Sequence, residues 1–169
     1  MAFLARSLYR SRQFFRSVGA SIDDDERAEV TQLLSEDQRR LFFSMTARDQ
    51  RHSLDVLHVL LRQNQTDRDL LSAALLHDVG KGRIRLWHRV AFVLIRAASP
   101  GLLRKLASSE SGSWRGALAA IANHAERGAS LVRATGASDE VVHLVRCHET
   151  PDGDNDPRQA LLRAADESC

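Results

Sequence analysis

The sequence predicts an all-α, single-domain helical bundle, and three observations carry that prediction. Apolar residues recur with a helical period, as in Leu54, Val56, Leu57, Val59, Leu60 and Leu61. Alternating strand patterns are nearly absent. Polar start signals stand ahead of the apolar stretches, among them a Ser35-Glu36-Asp37-Gln38 capping box. At 169 residues the chain fits one domain that buries about 70% of its unfolded surface. Within it, residues 1–49 read as a helical extension with a basic arm and 50–169 as the main domain.

From the N-terminus, Ala2 to Val18 interleaves Arg6, Arg10, Arg12 and Arg16 with Phe3, Leu4, Leu8, Tyr9, Phe14 and Phe15, with no acidic residue before Asp23. Three arrangements fit this arm: a helix covering the domain's own core, an amphipathic helix on an anionic membrane surface, or a contact with a partner subunit. Asp23-Asp24-Asp25-Glu26 is an acidic start, with a short helix from Ala28 to Leu34 behind it. The capping box at Ser35 opens a helix carrying Leu41, Phe42, Phe43 and Met45. Thr46-Ala47-Arg48-Asp49 begins a long amphipathic helix with His52 in its first turns and His58 on another face.

Asn64-Gln65-Thr66-Asp67 is a polar break with Asp67 as N-cap, and a strongly apolar helix follows from Leu70 to Asp78. Gly80 and Gly82 then break it, as glycine does at a C-terminal cap. Ile84 to Ala98 is apolar but interrupted by Arg85, His88, Arg89 and Arg96, and Ser99-Pro100 starts a short helix to about Leu106. Ser108 to Gly112 is a polar loop, and a helix from Trp114 to Ala122 ends at Asn123-His124. Further helices run from about Ala125 to Ala134, closing on Gly136, and from Ser138 to Cys147-His148. Thr150 to Asp156 is a loop, and Asp156-Pro157 caps a last helix that carries Leu161, Leu162, Ala165 and Asp166.

Composition removes several function classes. A net charge of +2 demands no nucleic-acid footprint, and the few aromatics offer no base-stacking platform. Cys147 and Cys169 are too few for a disulfide framework, so a cytoplasmic protein is expected. No apolar h-region marks a signal peptide, and the run Val90 to Ile95 is far short of the ~20 residues of a membrane span. The apolar and arginine-bearing segment 87–106 and the arm 1–18 are the two candidates for a homodimer or peripheral membrane contact.

The chemistry gathers in His52, His77, Asp78, His124, His148 and Asp166, spread over five different predicted helices or helix ends. A lone His-Asp pair at a helix end is more often a buried histidine beside a solvated aspartate. Five apolar helices that each deliver such a residue can instead converge them inside a bundle. Adjacent helical residues point about 100° apart, so His77 can reach one metal while Asp78 bridges to a second. One ion would then take His52, His77, Asp78 and Asp166, and the other His124 and His148 with Asp78 shared. Imidazole and carboxylate donors without thiolate favour iron, manganese, magnesium or zinc in a hydrolytic site.

These residues, in this order, resemble the HD-domain metal-dependent phosphohydrolase superfamily. The resemblance runs from about Gln50 to Asp166 and rests on His52, on His77-Asp78-Val79-Gly80-Lys81, and on His124-Ala125-Glu126-Arg127-Gly128-Ala129. His148-Glu149 and Asp166 complete it. It implies a helical bundle, a centre of one or two divalent metals, and hydrolysis of a nucleotide or related phosphate ester. The pair His124 and His148 is similar to the dinuclear branch, and Lys81 matches a lysine that contacts the substrate phosphate. Relatives that cleave cyclic di-GMP carry adjacent histidines and a Gly-Tyr-Pro signature; Cys147 and the loop Pro151 to Pro157 stand there instead, so that substrate is not implied. Two functions follow as alternatives: a phosphohydrolase acting on a small phosphate ester, or a signalling or binding module that keeps the metals without turnover. Lys81 and the full ligand set favour the enzyme. His58, His88 and His143 read as structural or surface residues.

Overall fold

A computed structural model describes residues 22–82, 123–150 and 156–169. The arm at 1–18, the segments read between 83 and 122, including 87–106, and the loop 151–155 lie outside them. The described residues form seven α-helices and no strand. They are α1 (Asp24–Leu33), α2 (Glu36–Ser44), α3 (Ala47–Arg62), α4 (Arg68–Leu76), α5 (His124–Ala134), α6 (Asp139–Cys147) and α7 (Pro157–Ser168). A 3-10 turn, Val79–Lys81, follows α4. The all-α bundle expected from the periodicity is what the chain forms.

Helix starts are set locally, as the sequence indicates. Asp23 and Glu26 make a reciprocal capping box on α1, and Ser35 and Gln38 make one on α2. Thr46, Asp67, Ser138 and Asp156 accept backbone N–H bonds at the starts of α3, α4, α6 and α7, and Pro157 stands in the first turn of α7.

The centre of the bundle is α4. Every residue from Leu70 to Leu76 is buried, as expected of a helix that is apolar all round. It packs against α1, α2, α3, α6 and α7, while α5 lies on α6 and on the 3-10 turn. Val30, Leu34, Phe42 and Met45 join Leu54, Leu57, Leu75, Val142 and Leu162 in one apolar core. His58 has the structural role read for it, with Nε2 2.8 Å from Glu29 on α1. No helix among the described residues is long and apolar enough to cross a membrane.

One cluster of charges sets the level of three helices. Arg158 donates to Glu140 at 2.5 Å and to its own N-cap Asp156 at 2.9 Å, and lies 3.6 Å from Asp67, the N-cap of α4. The Ser138 hydroxyl donates to Asp69 at 3.0 Å. The first turns of α4, α6 and α7 are therefore tied at one end of the bundle. Helices α4 and α6 have 9 residues each, a rise of about 14 Å. Their C-caps, His77 and His148, consequently emerge at the same level of the opposite end. Asp166 is the tenth residue of α7 and arrives there too.

Candidate metal centre

All six histidine and aspartate candidates meet at that end. His52, His77 and Asp166 form one group of ligand-type atoms within 4.8 Å of one another, and Asp78, His124 and His148 form a second. The groups are contiguous. His52 Nε2 lies 2.8 Å from Asp166 Oδ1, and His77 Nε2 lies 3.7 Å from the same oxygen and 3.5 Å from Asp78 Oδ1. His124 Nε2 is 3.6 Å from Asp78 Oδ1 and 3.1 Å from His148 Nε2.

Local backbone geometry decides which nitrogen each ring presents. His77 and His148 cap their helices in right-handed conformation, which brings each Nδ1 onto the carbonyl three residues earlier. His77 Nδ1 donates to Ala74 O at 2.9 Å, and His148 Nδ1 to Val145 O at 2.7 Å. A carbonyl only accepts, so Nδ1 carries the proton and Nε2 is turned inward, the second-shell arrangement typical of metal-ligating histidine.

Asp78 divides its carboxylate between two tasks. Oδ2 accepts from Lys81 Nζ at 2.5 Å, three residues on. Oδ1 is buried, has no hydrogen-bond partner, and faces the buried and equally unpartnered His77 Nε2. At 3.5 Å that pair is outside hydrogen-bond length. Two orphaned polar atoms in a buried site are costly unless something binds both.

The electrostatics describe a site that collects cations. Burial disfavours a charged His77, yet the carboxylates of Asp78 and Asp166 outweigh it and push the imidazole up to about 9. His148 moves the other way, to about 4, through burial and then the charge on His77. Burial opposes the charge on Asp78, but Lys81 and the surrounding histidines hold its carboxyl well below the usual range. Asp166 is held down likewise, against burial, by His52 and His77. A divalent ion fits this donor set. Two nitrogens on one metal at 2.0–2.1 Å stand about 2.9–3.4 Å apart for octahedral to tetrahedral angles, and His124 and His148 already do.

Two features were not read from the sequence. Gly80 is no helix cap: among the described residues the positive-φ glycines are Gly82 and Gly136. Gly80 instead lets the 3-10 turn touch the backbone of α5, where a Cβ would stand 1.9 Å from His124 O and 2.6 Å from Gly128 N. The turn bearing Asp78 and Lys81 is thereby pressed against the helix start bearing His124. Helix α4 also ends at Leu76 rather than Asp78, so the His-Asp pair lies at its C-cap and in the following turn. Glu149, left between a supporting and a surface role, is half-exposed with Oε2 3.8 Å from His124 Nδ1.

No curated protein and no solved structure matches the chain. A family model for the HD domain does match, and it spans residues 50–168, from the turn before His52 to just beyond Asp166. That span covers well over half of the chain and takes in every member of both histidine-aspartate groups, so the chain belongs to the HD-domain family.

Proposed function

We propose that this chain is a metal-dependent phosphohydrolase acting on a nucleotide or related phosphate ester, with His52, His77, Asp78 and Asp166 holding one divalent ion and Asp78, His124 and His148 a second. The observation that carries the reading is the orphaned pair His77 Nε2 and Asp78 Oδ1, buried between the two groups. Iron, manganese, magnesium or zinc would suit the donors. Ions bound there supply Lewis acidity towards phosphoryl oxygens and lower the pKa of water.

The residues of the chain divide the remaining work. The carbonyls of Ala74 and Val145 hold the Nδ1–H of two imidazoles, so each Nε2 faces the site without any rotation of the ring. Lys81 holds Asp78 Oδ2 and turns Oδ1 inward. An ammonium has three donors, so the same Lys81 keeps N–H groups for a substrate phosphate. His52 and Asp166 are the partly exposed members, at 27% and 29% of their side chains, against 2% or less for Asp78 and His124. Substrate approach is therefore from the His52 and Asp166 side.

The test is a panel of nucleoside mono-, di- and triphosphates, dinucleoside polyphosphates, cyclic dinucleotides and simple phosphomonoesters, assayed with Mn²⁺ or Fe²⁺. Turnover that disappears in Asp78→Ala is the expected result. Full metal loading with no turnover of any member would instead leave the chain as a metal-stabilised binding module.

A further inference from the structure

Arg127 stands on α5, one turn after His124, so the two share a helix face. Long helical side chains lean towards the N-terminus, over the preceding turn, and for Arg127 that is the turn that starts with His124. Its guanidinium lies against the end of the Asp78–Gly82 segment. Nη1, Nη2 and Cζ come within 3.6–3.9 Å of the point where a Gly82 Cβ would stand. Gly82 immediately follows Lys81.

Arg127 is exposed, and among the described residues its side chain has no hydrogen bond, ion pair or ring contact. The surrounding charges are committed elsewhere. Glu126 accepts from Arg146 Nε at 2.9 Å, which draws its carboxylate towards α6. Lys81 is engaged on Asp78. A planar guanidinium beside Lys81 and Gly82, without a counter-ion among the described residues, suits a planar pair of anionic oxygens from outside.

We propose that Arg127 binds a second phosphate of the substrate, beyond the one at the metals, and so selects esters with two or more linked phosphates over those with one. The inference rests on the phosphohydrolase reading for its substrate class and gives that class a charge. Lys81 and the metals meet the phosphoryl group that reacts; Arg127 meets its neighbour.

Inorganic pyrophosphate and inorganic phosphate are the probes. Each is titrated calorimetrically into the Mn²⁺-loaded full chain, with metal content measured before and after. Wild type should bind pyrophosphate more tightly than phosphate. Arg127→Gln should weaken pyrophosphate at least tenfold, leave phosphate within about twofold and keep its metals; Arg127→Lys should fall between. Equal losses for both anions, no loss, loss of metal, or a wild type that does not prefer pyrophosphate would overturn the assignment. The hydrolase reading fails separately. A wild type that turns over no ester yet shows this discrimination has the anion site without the chemistry.

Discussion

Replacing Gly80 by alanine should pull the candidate centre apart without altering any proposed ligand. A Cβ at this position would lie 1.9 Å from His124 O, 2.6 Å from Gly128 N and 2.8 Å from the His124 carbonyl carbon. All three obstacles are backbone, and no flexible side chain can swing away. Turn and helix must separate by about 1 Å, and a packed interior resists that. Overpacking of this kind costs about 1–3 kcal/mol, and occasionally more; a clash with rigid helix backbone belongs at about 3 kcal/mol or above. For a chain of this size, with about 2–4 °C per kcal/mol, Tm should fall by roughly 6–12 °C. The functional effect follows from what the surfaces carry. Asp78 Oδ1 and His124 Nε2 are 3.6 Å apart, and an added ångström carries them beyond the reach of one ion. Metal analysis and melting of loaded and chelated protein form the assay. Gly80→Ala should lose at least one ion, and loading should raise its Tm less than it does for wild type. Gly136→Ala is the control: its φ is +73° and a Cβ there meets nothing within 4 Å, so it should lose stability through backbone strain yet keep its metals. Wild-type Tm and metal content in Gly80→Ala would refute the reasoning.

Asp78→Ala should abolish turnover and lose both ions, whereas His124→Ala should lose about one; elemental analysis of the purified variants distinguishes them, and an Asp78→Ala protein with two ions would sink the shared-ligand assignment. Lys81→Ala should retain near-normal metal content while kcat/KM falls roughly a hundredfold, the usual scale for one lost charge-assisted contact to the reacting phosphate. In the metal-free chain His77 is pushed up to about 9, so it carries a proton at neutral pH that an incoming ion must displace. Apparent metal affinity should therefore rise with pH by up to about tenfold per unit and level off near 9, and a flat profile between pH 7 and 9 would contradict it. The same shift, raised from 6.5, gives the metal-free fold a stabilising contribution that is complete below pH 6.5 and lost as pH climbs through 9. For the arm 1–18 and the segment 87–106, a monomer in sedimentation together with no binding to anionic vesicles would remove both proposed contacts.

What was legible in the sequence was whatever depends on residues close to one another along the chain. The capping box at Ser35 and the acidic start at Asp23 are short-range relationships; the first forms as read, and the second proves to be a capping box as well. Leu70 to Leu76 is apolar but for Ser72, the pattern of a core-facing helix, and α4 is buried along that whole stretch. The six histidines and aspartates were candidates because the sequence sets each on, or at the end of, a helix patterned with apolar residues, and the structure brings their ligand-type atoms together. Gly80 was misread because its reason lies 44 positions away: from sequence, a glycine after a helix suggests a left-handed cap, and nothing local reveals the backbone of His124 pressed against it. Arg127 was read only as part of the His124–Ala129 motif, with no role of its own, for a related cause. Its meaning depends on which charges are already spent, and only the fold shows that Glu126 is taken by Arg146.

The same contrast explains why the centre sits at this end of the bundle. From Leu70 to Leu76 α4 is buried and apolar but for Ser72, whose hydroxyl is taken by Leu33 O, so the ligand-type groups enter where the helix stops. There the orphaned carbonyls of the last turn, Ala74 O in α4 and Val145 O in α6, must be satisfied, and the C-cap histidines do so through Nδ1. Satisfying the helix end leaves Nε2 pointing inward, without a partner on His77 and 3.1 Å from His124 Nε2 on His148. Capping and ligand presentation are thus one act. It follows that replacing His77 or His148 by glutamine should remove the ligand nitrogen and the cap together, with a loss of stability even in chelated protein. His52 makes no such backbone bond and engages Asp166 instead, so His52→Gln should weaken metal loading while the melting of the chelated chain changes little. Equal destabilisation of all three chelated variants would show that the cap contributes nothing.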